Sequence, residues 1–258
     1  MPATMRTSRR RALREGGLDE GRFCGQQFVS TPQLPLGLRF GPDQRLNGYR
    51  DAPAGLRASL LGIAAGDAGE SVFLGGAAGS GKSHLLLAAC AEASDASRVV
   101  AYLPLRLFGT RAADALAHQG AVQLACVDDV QAIAGDRDAE VALFDLHNRV
   151  RDGGGVLLYA ADANPLQLAL ALPDLRSRLA QCTQFALAIP DETQRRAILR
   201  ERAAARGLEI DDAVMDYLFR RVGRDLGTLT ALLDRLDHAS MAAQRRITVP
   251  FLRQALEL

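Results

Sequence analysis

The chain has almost no net charge. Its 258 residues include 31 basic and 30 acidic side chains, which leave a formal charge of +1 at pH 7. A protein that is held on nucleic acid by its overall field needs a large positive charge, so this balance excludes that class. Any contact with DNA must therefore be local or must come mainly through a partner.

Long hydrophobic runs and metal-binding cysteine patterns are also absent. Runs such as 85–90 and 156–161 are far shorter than the roughly 20 apolar residues that cross a bilayer. No apolar stretch follows the arginines of segment 1–17, so it does not have the form of a secretory signal. The cysteines are too widely spaced for a zinc knuckle or a redox pair, which predicts reduced thiols. The cysteines are Cys24, Cys90, Cys126 and Cys182. Together these absences predict a cytoplasmic protein without a membrane partner.

Lysine is nearly missing, because Lys82 is the only lysine among the basic residues. An ammonium is a compact point charge, whereas a guanidinium is a wide planar fork, so the two are not interchangeable. Position 82 is therefore one at which arginine is not an adequate substitute.

Lys82 lies in residues 76–83, GAAGSGKS, which fit G-x-x-x-x-G-K-[ST] at every fixed position. An apolar run precedes the motif and an amphipathic segment follows it, as a phosphate-binding loop requires. Glycines allow backbone N–H groups to point at phosphate, and the helix N-terminus favours negative charge. We expect Lys82 at the β and γ phosphates and the Ser83 hydroxyl on Mg²⁺; the alternative is a flexible glycine-serine turn.

A second motif supplies acids for this loop. The apolar run 124–127 ends in Asp128 and Asp129. A phosphate loop needs a carboxylate for Mg²⁺ at the end of a neighbouring strand. The sequence therefore predicts Asp128 as the metal-side acid and Asp129 as the residue that orients water.

From about residue 39, short apolar runs alternate with helical patterns, which predicts a parallel sheet with helices on both faces. After Pro190 the pattern becomes helical only, and Asp191 with Gln194 has the form of a capping box. The fold class is thus α/β with five parallel strands, followed by a small helical subdomain at 191–258. The predicted strands are 71–75, 99–105, 124–130, 156–161 and 185–189, and the helices between them are 83–93, 111–118 and 138–151.

Tyr102, Tyr159 and Tyr217 are predicted as core or interface aromatics.

Residues 1–32 form a basic, glycine-containing tail, which is followed by QLPLGL at 33–38. An extended peptide can place alternate leucines in an apolar cleft of a partner. The residues alone leave open a peptide that folds back onto the protein's own core.

Several segments together resemble the DnaA branch of the AAA+ ATPases, and within it the DnaA regulatory inactivators. The segments are GKSHLL at 81–86, VDD at 127–129, LLYAAD at 157–162, FDLHNR at 144–149, LPDLRSRL at 172–179 and ASMAAQRRITVPF at 239–251.

The resemblance implies an AAA+ domain at 39–190 and a lid at 191–258. It implies Asp162 as the first sensor, Arg224 as the second sensor and Arg178 as an arginine finger, expected on an exposed turn after a helix. The nucleotide, ADP or ATP, would contact Gly76, Gly79, Gly81, Lys82, Ser83, His84, Asp162 and Arg224. Residues 1–38 are predicted as a disordered basic tail, and the resemblance implies that the sliding clamp binds the peptide at its end through Gln33, Leu34, Leu36 and Leu38.

The implied function is negative regulation of chromosomal replication initiation. A nucleotide-bound adaptor would bind the DNA-loaded clamp and stimulate ATP hydrolysis by the initiator DnaA, at the nucleoid. Asp129 stands where many AAA+ engines have glutamate, so hydrolysis by the chain itself and its homo-oligomeric state stay open. The alternatives are a helicase loader, an initiator-like DNA-remodelling ATPase and a nucleotide-sensing scaffold.

Overall fold

The structure is a computed structural model. It describes residue 41 and residues 44–49, 52–67, 69–221, 228–233, 235 and 249–250. The chain divides into two units, Met1–Leu38 and Arg39–Leu258, and the described residues all belong to the second. The clamp-like peptide 33–38 and Arg224 lie outside them, and the division at residue 190 stays a prediction.

Five parallel strands form one sheet in the order β2-β3-β4-β1-β5. Their carboxyl ends therefore meet at a single edge, where open α/β sheets bind ligands. This confirms the predicted α/β class with a five-stranded parallel sheet. The strands are β1 (Val72–Gly75), β2 (Val100–Pro104), β3 (Leu124–Asp128), β4 (Val156–Ala161) and β5 (Thr183–Ala186).

Helices cover both faces of the sheet. On one face, the core contains Leu143, Leu146 and Leu175, and on the other it contains Leu60, Leu86 and Ala89. The central strands β3 and β4 are buried along their whole length, which explains their unbroken apolar sequence. The helices are α1 (Leu56–Ala65), α2 (Lys82–Asp95), α3 (Leu105–Phe108), α4 (Ala112–Ala117), α5 (Arg137–Asp152), α6 (Pro173–Gln181), α7 (Glu192–Ala205) and α8 (Asp212–Arg221).

The helical part after β5 has its own core, formed by Leu199, Val214, Leu218 and Leu233 among others. The predicted capping box of α7 is confirmed, because Asp191 and Gln194 each accept a backbone N–H of the other. Residues 228–233 and 249–250 are also helical, in agreement with the predicted lid.

Several elements differ from the prediction: α1, α3 and α6 were not predicted, β3 ends at Asp128 instead of residue 130, and the bounds of β5 are different. Strand β5 begins at Thr183 and ends at Ala186, because it lies at the sheet edge and its polar first residues are exposed. The backbone N–H of Leu187 still donates to the Gly75 carbonyl, so pairing with β1 continues one residue past the strand. Helix α1 was not predicted, although Leu56, Leu60 and Ile63 are buried at helical spacing.

Cys90, Cys126 and Cys182 are free, buried thiols. Within the described ranges, no helix is both long enough and apolar enough to span a membrane.

Candidate nucleotide site

The glycine-rich loop connects β1 to α2 at the carboxyl edge of the sheet. A Cβ on Gly76 would lie 2.6 Å from the Leu187 carbonyl oxygen, so glycine is required where the loop passes β5. Gly81 has φ of +90° at the N-cap of α2 and makes no side-chain cap. The first backbone N–H groups of α2 have no partner within their helix and are available to an anion.

Lys82 turns its ammonium into the loop. Its Nζ donates to the carbonyls of Gly76 and Ala77, the latter at 2.9 Å, and the residue is 7% exposed. Burial lowers the pKa of Lys82, while the charges of nearby carboxylates act in the opposite direction. These carboxylates are Asp128, Asp129 and Asp162. All three lie at or just after the end of a predicted strand, and in the structure their charges act on the ammonium of Lys82.

Tyr102 lies beside both predicted metal ligands, Asp128 and Ser83. The Tyr102 hydroxyl donates to Asp128 Oδ2 at 2.8 Å, and the Ser83 side chain lies near enough to act on the pKa of Tyr102. Burial raises the pKa of Tyr102, and the adjacent Asp128 charge raises it further. Tyr102 packs partly against the core, as predicted, and its hydroxyl belongs to the site.

Asp129 is held by two neighbouring side chains. Arg106, on α3, donates through Nε to Oδ2 at 3.2 Å and through a terminal nitrogen to Oδ1 at 3.3 Å. Gln131 donates to Oδ1 at 2.8 Å and accepts the backbone N–H of Asp162 at 3.2 Å. Gln131 therefore connects the end of β3 to the first-sensor position after β4.

An open cleft of about 750 Å³ lies beside the loop. Tyr49 stacks on His84 with ring centroids 6.4 Å apart and donates its hydroxyl to the Ser80 carbonyl at 2.9 Å. Arg202, on α7, lies 3.3 Å from His84 Nδ1. The lining comes from three parts of the chain: Gly48, Tyr49 and Pro53; Gly79, Ser80, Gly81 and His84; and Ala186, Ala188, Ile189, Pro190, Gln194, Ile198 and Arg202.

Arg178 is exposed, as expected, but it lies in the last turn of helix α6 and not on a turn after a helix. Pro173 begins the helix, and Leu175 and Leu179 are buried one turn apart, which fixes the helical conformation. Its guanidinium makes no hydrogen bond or ion pair with any residue that the structure describes.

Among the described residues, no three His, Cys, Asp or Glu side chains form a metal-binding group. Magnesium needs no such cage, because it keeps several waters and binds phosphate with one or two protein ligands. Ser83 and Asp128 fit that requirement.

Four residues of the site were not predicted from the sequence: Tyr49, Arg106, Gln131 and Arg202. Gln131 stands two residues after Asp129 and could have been considered. The other three come from distant segments, and no local pattern marks them.

Comparison with known proteins gives two family matches. A model of the bacterial DnaA ATPase domain matches residues 39–186, and a model of the Hda lid domain matches residues 191–256.

Solved structures give the same fold. Domain III of DnaA from Thermotoga maritima is 21% identical with a TM-score of 0.67, over 85% of this chain and 98% of that one. AMPPCP-bound DnaA from Aquifex aeolicus is 21% identical with a TM-score of 0.59, and the match covers 79% of this chain and 68% of that one. The RuvB Holliday junction branch migration motor of Thermotoga maritima is 18% identical with a TM-score of 0.52, and the match covers 78% of this chain and 65% of that one.

The DnaA match covers more than half of the chain, and the lid match accounts for its C-terminal part. The protein therefore belongs to the bacterial DnaA ATPase family and is a DnaA-related AAA+ replication regulator with an Hda-type lid.

Proposed function

We propose that this protein is a negative regulator of chromosomal replication initiation, a nucleotide-bound AAA+ adaptor that stimulates ATP hydrolysis by the initiator DnaA. The observation that carries the proposal is the exposed Arg178 on α6, in a chain that also has a complete phosphate loop. An arginine that acts on a partner's nucleotide has to be accessible and rigidly mounted.

Arg178 meets both requirements. No described residue pairs with its guanidinium, so contact with a phosphoryl oxygen of DnaA-bound ATP does not require an internal ion pair to break. The buried Leu175 and Leu179 fix the rotation of α6 about its axis, which keeps Arg178 on the solvent side. An arginine supplied to a transferring phosphoryl group increases the rate by about 10³- to 10⁵-fold.

The protein's own nucleotide, ADP or ATP, would bind at the loop. Lys82 and the free N–H groups at the start of α2 would hold the phosphates, and the cleft beside Tyr49 and His84 would take the base and sugar. Ser83 and Asp128 would hold Mg²⁺, which neutralises phosphate charge. Asp162 and Arg224 would act as the two sensors.

Its own hydrolysis would be weak. A residue that orients water needs a free carboxylate oxygen, and both oxygens of Asp129 accept hydrogen bonds from Arg106 and Gln131. The catalytic effect would therefore fall mainly on the partner's ATP.

The peptide 33–38 would dock on the DNA polymerase sliding clamp through Gln33, Leu34, Leu36 and Leu38. DNA would be contacted mainly through the clamp, which places the protein in the cytoplasm at the nucleoid. A homo-oligomer is compatible with this arrangement.

The central test measures ATP hydrolysis by DnaA in the presence of loaded clamp, DNA and this protein. Arg178→Ala is expected to lower the stimulation by about 10³-fold or more. Arg176→Ala is the matched control, since Arg176 lies on the same helix and is half-buried. The proposal is wrong if wild type leaves the turnover unchanged or if the two variants behave alike. ATP-dependent capture of replicative helicase in place of clamp would instead favour the loader.

Nucleotide binding is tested separately by unfolding the purified protein with and without ADP or ATP. Ligand at 100 times its Kd stabilises a protein by about 2.7 kcal/mol. Lys82→Ala is expected to lose most of this gain because the phosphates lose their cation. A variant that keeps the full gain would contradict the assignment of the loop.

A further inference from the structure

Glu140 is a carboxylate buried inside the protein. It lies in the first turn of α5, and its side chain is 0% exposed. A buried charge is unfavourable unless it is paired or hydrogen-bonded, so its partners indicate what it holds in place.

The partners of Glu140 are three backbone N–H groups. Oε1 accepts from Gly135 at 2.8 Å and from Ala171 at 3.0 Å, and Oε2 accepts from Leu172 at 2.6 Å. Hydrogen bonds to an ionised acceptor are roughly twice as strong as those between neutral groups. One side chain of α5 thus fixes the backbone that leads into α6.

Helix α6 depends on this contact at its beginning. Its N-cap, Leu172, makes no side-chain cap, and Pro173 at the first position has no N–H to donate. Glu140 accepts the backbone N–H groups of Ala171 and Leu172, directly before the helix. Other side chains that bond to this region act elsewhere, since Asn164 accepts from residues 166 and 167 and Gln184 donates to the Ala180 carbonyl near the far end. The far end of α6 is held through β5, where the Thr183 N–H donates to the Ser71 carbonyl at 2.9 Å.

We propose that Glu140 is a positioning residue for Arg178: its carboxylate fixes the start of α6, and thereby sets the place and direction of the guanidinium on that helix. This inference rests on the proposed function. Arg178 follows the anchored N-cap by less than two helical turns, so a shift of the helix start moves it directly. A displacement of about 1 Å in a catalytic group can cost 10²-fold in rate.

The test uses the full chain with Glu140→Gln, which replaces one accepting oxygen by an amide that cannot accept. Asp136→Asn is the matched control, because Asp136 is also on the α5 side of this contact. Its carboxylate accepts a backbone N–H, that of Ala139 at 3.1 Å, but it does not touch α6. The two substitutions remove the same charge, and unchanged stabilisation by ATP shows that each variant is folded.

The first readout separates the maximal DnaA hydrolysis rate from the concentration of this protein that gives half of it. Glu140→Gln is expected to lower the maximal rate by about tenfold or more, with the half-maximal concentration within about twofold of wild type. Asp136→Asn should change neither. In an Arg178→Ala background, Glu140→Gln should have no further effect, and a further loss there would overturn the inference.

Hydrogen exchange gives a readout that does not need DnaA. Residues 171–179, and Gly135, whose N–H donates to the same carboxylate, should exchange faster in Glu140→Gln than in wild type or Asp136→Asn, while the rest of the chain is unchanged. Unaltered exchange there refutes the positioning role. If wild type fails to stimulate DnaA while exchange changes as expected, the proposed function is wrong and the structural anchor stands.

Glu140→Asp covers the case in which the glutamine variant does not fold. It keeps the charge but is one methylene shorter, so we expect a smaller loss of maximal rate and a smaller increase in exchange. Behaviour identical to wild type in both measurements would overturn the inference.

Discussion

Asp129 is the residue whose chemistry depends most on its neighbours. It has φ of +57°, a left-handed conformation that non-glycine residues rarely adopt. This backbone turns the carboxylate toward Arg106 and Gln131, both of which donate to it. The acid is thus part of a hydrogen-bonded group that also includes the backbone of Asp162.

Arg106→Ala is expected to increase ATP hydrolysis by the isolated protein by about tenfold, because it frees a carboxylate oxygen to orient water. Phosphate release from ATP without DnaA measures this rate. The control is Arg111→Ala, an exposed arginine in the same connection between β2 and β3. Asp129→Asn should abolish the increase. If Arg106→Ala hydrolyses ATP no faster than wild type, then Arg106 does not keep Asp129 from orienting water.

His147 should make the protein sensitive to mild acid. Burial lowers its pKa to about 4, and the charges of Arg178 and Arg151 act in the same direction. The unfolded histidine takes up a proton near pH 6.5, whereas the folded one resists until about pH 4. The contribution of neutral His147 to the free energy of unfolding is therefore fully present above pH 6.5 and is lost as the pH falls toward 4.

Between pH 7 and pH 5, wild type should lose about 2 kcal/mol of unfolding free energy that His147→Gln keeps. Denaturant unfolding at each pH gives the two curves. His118→Gln serves as the control because His118 is exposed, and its curve should follow wild type. Parallel curves for wild type and His147→Gln would show that this histidine does not cause the acid sensitivity.

At the scale of the elements, the sequence predicted what local pattern determines. The strands β3 and β4 are continuous apolar runs buried on both faces, and α7 carries its own capping box. The strand β5 was predicted two residues too late, at 185–189, because an edge strand is paired by backbone and its first residues need no apolar side chains. The helical form of the Arg178 segment was missed because its buried face has only Leu175 and Leu179.

The junction of the loop with α2 can be tested by two glycines in the same conformation. Gly81 and Gly55 both cap a helix with positive φ, +90° and +81°. A Cβ at Gly81 would lie 2.7 Å from the Tyr49 ring, while one at Gly55 meets nothing within 4 Å. The pair therefore separates backbone strain from displacement of Tyr49.

Gly55→Ala is expected to cost about 1–2 kcal/mol of stability, the penalty of a left-handed alanine. Gly81→Ala should cost about 1–3 kcal/mol more because the Tyr49 ring has to move. Only Gly81→Ala should also lose nucleotide stabilisation, since Tyr49 lines the cleft. If both variants lose the same free energy of unfolding, then displacement of the Tyr49 ring does not destabilise the protein.

At the scale of the whole molecule, the cleft joins segments that lie far apart in the sequence. The cleft is lined by Gly48, Tyr49 and Pro53, by the phosphate loop and by α7, and Arg202 contacts both His84 and Thr230. Sequence reasoning found the loop because a motif fixes it. Tyr49 and Arg202 were not predicted as site residues because tertiary packing brings them there, Tyr49 against the loop and α2 and Arg202 from α7.

This arrangement predicts that nucleotide protects the lid as well as the loop. Addition of ADP or ATP should slow hydrogen exchange in 192–205 along with 76–86, because a bound ligand stabilises every segment it contacts. Residues 119–123 line a separate cavity and serve as the internal control, which should not change. Arg202→Ala should keep the protection of the loop but lose most of that in α7, since the side chain bridges the two. Protection confined to the loop in wild type would mean that the nucleotide is held without the lid.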